Sequence, residues 1–249
     1  MPEDFQSENP GEPPALTASP GPAQIPPEAA QAEDLVLSRL NHRDLPAAVI
    51  EQISQNAASM KSRKVRLAIA AHPQAPRRIA LRVVRELYTF ELMQFALAPA
   101  AAADLRRVAD ELLVARVASI TLGERISLAR RSSEMVARAL LLDKETPVWQ
   151  AALENPRLTE RGVIRALQRS GATPALVEAV SHHAKWSPRP EIRLALLRNA
   201  HTPLARALEF ARRLPPALLR DILHTSNLPE QAKAYLRKDC ERRGTRSRD

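Results

Sequence analysis

The chain has 249 residues, of which 45% are apolar and only 3% aromatic, and its formal charge is +9. One cysteine, Cys240, excludes a disulfide framework and a cysteine-based zinc site. The chain has only six glycines, which is too few to favour glycine-rich phosphate-binding loops. The composition therefore predicts one large or two small helical domains, and it points to no enzyme class.

Residues 1–34 are predicted to form a disordered acidic tail. Eight prolines and few large apolar side chains lie within residues 1–32, so this segment cannot bury enough surface to offset its ordering entropy. Residues 1–38 hold seven acids and no Lys or Arg, while the rest holds 37 basic against 21 acidic residues, a net +16. The tail either limits self-association or competes for an anion-binding surface on the body.

The start of the chain also bears on location. No apolar signal region follows Met1, and no apolar run reaches the ~20 residues that span a bilayer. With a single unpaired cysteine, we expect a cytoplasmic protein with no membrane partner.

Residues 35–241 are predicted to be helical throughout, because apolar residues recur at three- and four-residue spacing with no period-two strand. Thr146, Thr173 and Thr202 each stand before a proline, as capping hydroxyls do, and Thr121 opens a capping box with Glu124. Residues 242–249 are predicted to be a disordered basic tail. The capping motifs predict short helices at 147–154, 159–169, 173–184, 190–198, 203–213 and 215–225.

Two internal patterns indicate a repeat. An apolar residue, an alanine three positions on and a capping residue four further on recur at Val65/Ala68/His72, Ile126/Ala129/Ser133, Val148/Ala151/Asn155 and Ile192/Ala195/Asn199. The alanine lets a neighbouring helix approach closely, and the last residue can cap the next helix. A second pattern at Pro174 recurs at Pro216. Together they predict units of about 42–44 residues with three short helices, stacked into an α-solenoid that is irregular at 100–145.

Three stretches carry the resemblance to a known family: residues 65–76, 148–159 and 192–203. They resemble leucine-rich repeat variant units, which belong with the HEAT and armadillo-like helical repeats. The resemblance covers roughly residues 62–240 and implies a right-handed superhelix with a binding role. Some variant-repeat proteins carry an iron–sulfur module, which does not carry over to a chain with one cysteine. Such a fold specifies architecture better than function.

Arginine supplies 31 of the 37 basic residues, and several arginines share repeat positions. Arg161, Arg165 and Arg169 are spaced as one stripe along a helix. Arg78 and Arg82 hold the positions of Arg161 and Arg165 in an earlier unit, and Arg213 holds that of Arg169 in the next. Stacking would align these guanidinium groups. They form either an ordinary exposed ridge, which a GC-rich genome also favours, or a groove for phosphate or an acidic peptide.

Trp149 stands where the other repeats have polar residues, namely Arg66, Ser127 and Arg193. Tryptophan is enriched in binding hot spots. Trp149 is therefore either an exposed anchor for a partner or a side chain packed against a neighbouring unit.

The pattern as a whole favours a non-enzymatic protein-interaction scaffold that binds another protein or an acidic peptide segment. The alternative is nucleic-acid binding through backbone phosphates, although scarce aromatics argue against single strands. A helical-repeat enzyme is a third alternative, for which no catalytic or cofactor motif is present. His182 and His183 are adjacent and point about 100° apart on a helix, so we predict no metal site there.

Overall fold

The computed structural model describes residues 27–246, with side chains described for residues 31–243. Across this part of the chain the fold is all-helical, as predicted, with one 3₁₀ turn at Val117–Ser119 and no strand. The α-helices are α1 Pro27–Leu40, α2 Ala47–Gln55, α3 Ala57–Lys61, α4 Arg63–Ala71, α5 Arg77–Glu86, α6 Thr89–Leu97, α7 Ala103–Arg116, α8 Leu122–Arg131, α9 Glu134–Leu140, α10 Thr146–Leu153, α11 Glu160–Leu167, α12 Pro174–His182, α13 Pro190–Arg198, α14 Leu204–Ala211, α15 Pro216–Thr225 and α16 Glu230–Arg246.

The six helices predicted from the capping motifs are α10 to α15, and each bound lies within two residues of the prediction. The hydroxyls of Thr121 and Thr173 cap α8 and α12 as expected. The Thr202 hydroxyl does not cap α14, because it donates to the Leu196 carbonyl 2.6 Å away. Thr146 is itself the first residue of α10.

Both predicted tails are shorter than expected. Residues 27–34 belong to α1, which buries Leu40 and half-buries Val36 and Leu37 against the core. Residues 242–246 belong to α16, where Arg243 donates to the Arg212 carbonyl at 3.0 Å. Residues 1–26 and 247–249, which hold the rest of both predicted tails, lie outside the described residues.

From α4 onward, many helices pack against the helix two places away as well as against their neighbours in sequence, which produces two layers. In one layer α5, α7, α9, α11, α13 and α15 contact each other in succession. In the other, α8 contacts α10 and α14 contacts α16, and Trp186 after α12 donates its indole N–H to the Leu153 carbonyl of α10 at 3.0 Å. The three-helix spacing between α10 and α13 thus places these two repeat-equivalent helices in opposite layers, whereas α8 and α10, which also carry the repeat, share one layer.

Residues that directly follow a helix tie each layer together. Asn155 and Asn199 each accept the backbone N–H two residues later and donate through the side-chain amide. The acceptors are the Ala129 carbonyl of α8 and the Leu167 carbonyl of α11, both at 2.7 Å. Ser226 repeats this arrangement towards α13. The repeat's capping residues therefore satisfy carbonyls at the end of the previous helix in the layer, which a helix otherwise leaves unpaired.

Three of the four repeat alanines are buried, as predicted. Ala129, Ala151 and Ala195 are buried, and Ala68 is half-buried. Gly162, on α11, lies beside Glu134 of α9. A Cβ atom at Gly162 would lie 2.5 Å from a Glu134 carboxylate oxygen, so the glutamate side chain would have to move to admit it.

No helix among residues 27–246 combines the length and the apolar character needed to cross a lipid bilayer.

Candidate binding groove

A groove opens between α7, α9 and α11, and we call it the central groove. Its volume is about 550 Å³, and no Asp or Glu lines it. Its lining combines apolar side chains from α7, α9, the turn after α9 and α11, which together we call the floor, with polar side chains from α9, α11 and the turn after α11. The apolar residues are Val114, Met135, Ala139, Leu142 and Ala166, and the polar ones are Arg138, Arg165, Gln168 and Arg169.

Two of the groove's three arginines are free to bind a ligand. Arg165 and Arg169 are exposed, and neither has an ion pair or hydrogen bond from its guanidinium within residues 31–243. Arg138 pairs with Glu134 on its own helix at 3.6 Å. The groove therefore presents two uncompensated positive charges above an apolar surface.

A second pocket of about 470 Å³ adjoins the central groove, and we call it the polar pocket. Gln168 and Arg169 line both. The polar pocket lies at the ends of α11, α13 and α15, and it too has no carboxylate in its lining. Its residues are Leu167, Gln168, Arg169, Ser170, Ala172, Ala195, Arg198, Asn199, Ala200, His201, Thr225 and Asn227.

The predicted stripe of Arg161, Arg165 and Arg169 on one helix is wrong in detail. Helix α11 ends at Leu167, and Arg169 lies in the turn that follows, where its N–H bonds to the Ala166 carbonyl. Arg161 is exposed on α11 but lines neither the groove nor the polar pocket. Only Arg165 and Arg169 of the predicted stripe share a site.

The other predicted arginines lie elsewhere and have partners. Arg78 and Arg82 line a separate pocket of about 270 Å³, where Arg78 pairs with Glu51. Arg213, after α14, pairs with Glu209 at 3.4 Å. The predicted alignment of guanidinium groups across units is therefore wrong. Helix α5, which carries Arg78 and Arg82, lies in the same layer as α11 but with α7 and α9 between them, and Arg213 follows α14 in the opposite layer.

Trp149 is buried, with 4% of its surface exposed, so its interpretation as an exposed anchor is wrong. At the equivalent positions, Arg66 and Arg193 fold back to donate to the backbone carbonyl six residues earlier. At those two positions the arginine side chain turns back towards the residues that precede its helix, so a polar residue there does not indicate exposure to solvent.

Sequence reasoning missed Arg138 and Arg198. The available indication for Arg138 was local: α9 and α11 both begin at a glutamate after a capping hydroxyl, Ser133 and Thr159. Aligning those two starts places Arg138 within one position of Arg165. Arg198 carried no such indication, because it is the last residue of α13 and lines the polar pocket only through the packing of α13 on α11.

No protein-family model, curated protein or solved structure matches this chain. Among the described residues, no group of three or more His, Cys, Asp or Glu side chains is arranged to hold a metal ion. The candidate site therefore rests on the geometry of the central groove and the polar pocket.

Proposed function

We propose that this protein is a non-enzymatic cytoplasmic scaffold, built from leucine-rich-repeat-variant-like units, that binds an acidic segment of another protein in the central groove. One observation carries the proposal: Arg165 and Arg169, both without a partner among the described side chains, stand beside an apolar floor.

The combination of charge and apolar surface favours a peptide. A guanidinium group binds a carboxylate through two parallel hydrogen bonds, and apolar side chains between the acids would bury the floor. A nucleic-acid backbone offers the charge but no apolar group to fill the floor. No aromatic side chain lines the groove to stack on a base.

The direct test uses a fluorescent peptide of alternating Glu and Leu and the full-length chain. Replacing Arg165 and Arg169 together with Gln should weaken binding about tenfold or more, the loss expected for hydrogen bonds between charged groups. Arg161→Gln is the matched control, because Arg161 is exposed on the same helix but outside the groove. An equal loss in both variants would contradict the proposal.

A second variant separates peptide from nucleic acid. Ala139→Gln introduces a longer side chain into the apolar floor, so it should block the peptide while leaving the arginines free. If the groove instead binds duplex DNA, log affinity should fall steeply with log salt, Arg165→Gln should reduce that slope by up to about 0.9, and Ala139→Gln should have little effect. That result would favour nucleic-acid binding over the scaffold.

A further inference from the structure

The polar pocket concentrates hydrogen-bond donors. Arg169, Ser170, Arg198, His201 and Asn227 line it, and none of their side chains has a hydrogen bond or ion pair within residues 31–243. Two guanidinium groups and an imidazole thus surround a space with no carboxylate in its lining. These are the donor types that bind phosphate oxygens.

Helix ends normally present carbonyl oxygens, which repel an anion. In this pocket two of those carbonyls are already occupied. The Asn199 amide donates to the Leu167 carbonyl at 2.7 Å, and the Asn227 N–H donates to the Arg198 carbonyl at 3.1 Å. These two hydrogen bonds partly offset the negative potential at the ends of α11 and α13, and Arg169 and Arg198 add positive charge to the pocket lining.

We propose that the polar pocket binds the phosphate of a phosphorylated Ser or Thr in the same acidic segment that occupies the central groove. This inference rests on the proposed function, because the phosphate would belong to the peptide that the central groove binds. Gln168 and Arg169 line both the groove and the polar pocket, so one peptide can reach both. A phosphomonoester carries about two negative charges and three acceptor oxygens, which match two arginines and His201 better than one carboxylate does. A nucleic-acid phosphodiester carries only one charge, and no aromatic residue lines the pocket for its base.

The test compares two forms of one probe, a Glu/Leu peptide with a single serine, unmodified and phosphorylated, on the full-length chain. The phosphorylated form should bind about tenfold more tightly, and Arg198→Gln should remove that difference without changing the affinity of the unmodified form. Arg220→Gln is the control, because Arg220 is an exposed arginine of α15 outside both spaces. Inorganic phosphate, added as a competitor, should weaken binding of the phosphorylated peptide to the level of the unmodified peptide.

The outcomes separate the two proposals. Equal affinity for both peptides, or equal effects of Arg198→Gln and Arg220→Gln, would overturn the phosphate site while leaving the groove intact. Phosphate-dependent binding that needs Arg198 but is indifferent to Arg165→Gln would support the polar pocket and contradict the groove. If duplex DNA displaces the phosphopeptide completely, and if this displacement is lost in Arg198→Gln, the polar pocket binds nucleic acid and the phosphopeptide proposal is overturned.

Discussion

Asp110, on α7, is a half-buried acid whose partial burial favours its neutral form. The Ser133 hydroxyl at the start of α9 donates to its Oδ1 at 2.7 Å. Burial nevertheless raises the pKa of the Asp110 carboxyl above its ordinary value of 3.8, with the nearby Glu134 and Glu111 contributing in the same direction. Because the folded state holds this proton more tightly, ionised Asp110 costs stability, and that cost grows as the pH rises from about 4 towards neutral.

Asp110→Asn should therefore stabilise the protein at neutral pH, since it removes the buried charge and keeps an acceptor for Ser133. The gain should shrink as the pH falls below 3.8, where wild-type Asp110 also becomes protonated in the unfolded chain. Urea unfolding at neutral and at acidic pH measures both free energies. Lower stability of the variant at neutral pH would show that Arg106 and Ser133 outweigh the cost of burial.

Asp143→Asn is the contrasting control. Arg125 Nη1 donates to both Asp143 carboxylate oxygens at 2.8 Å, and both side chains are largely buried. Removing one partner of such a pair leaves the other charge uncompensated, at a cost of about 3 kcal/mol in the free energy of unfolding.

The two tryptophans show how far a sequence determines single positions. Trp186 is 1% exposed, and its indole N–H donates to the Leu153 carbonyl. The sequence left two interpretations of Trp149, because the equivalent repeat positions are polar. Arg66 and Arg193 at those positions donate to a backbone carbonyl six residues earlier, and a pattern of polar and apolar residues does not reveal that local contact.

At the level of elements, the alanine pattern makes a sharp prediction. Ala151→Leu should cost about 1–3 kcal/mol in the free energy of unfolding, because Ala151 is buried in α10 and a larger side chain overpacks the site. Ala195→Leu should cost less than Ala151→Leu, because Ala195 also lines the polar pocket, which has room for part of the added side chain. Ala205→Leu should be nearly neutral, since Ala205 is exposed on α14. Chemical denaturation of the three variants is the measurement, and equal stabilities would mean that these crossings tolerate bulk.

Helix bounds followed from the sequence because caps and prolines act within a few residues. The order in which the helices pack could not be predicted from the sequence, because the assignment of successive helices to alternate layers depends on which helix ends meet in space. That order is visible in the hydrogen bonds from Asn199 to the Leu167 carbonyl and from Asn155 to the Ala129 carbonyl, each of which joins helices two places apart. A sequence period of three helices does not reveal it. The candidate site was half predicted for the same reason. Arg165 and Arg169 belong to one repeat, whereas Arg138 of the central groove and Arg198 of the polar pocket come from α9 and α13, the helices on either side of α11.

At the level of the whole molecule, residues 1–26 add four acids and no base to a body that is strongly basic. Deleting them should shift the thermal midpoint by less than about 2 °C, because α1 and its buried Leu40 stay in place. The deletion should tighten binding of the Glu/Leu peptide at low salt and have little effect at high salt, where charges are screened.

Neutralising the same four acids to Gln and Asn in the full-length chain separates charge from chain length. The deletion and the neutralised variant should tighten binding of the Glu/Leu peptide by the same factor, measured by titration at a low and a high salt concentration. Weaker binding after either change would show that the acidic segment assists the groove rather than competing with it.

The bridging bonds join residues only 26 to 33 positions apart, from His72 and His42 near the start of the fold to Ser226 and Leu197 near its end. A nascent chain leaving the ribosome therefore completes each bond soon after the second partner emerges, without waiting for a distant segment. Assembly can advance with synthesis from α1 towards α16, and the short loops to be closed predict fast folding for a chain of this length.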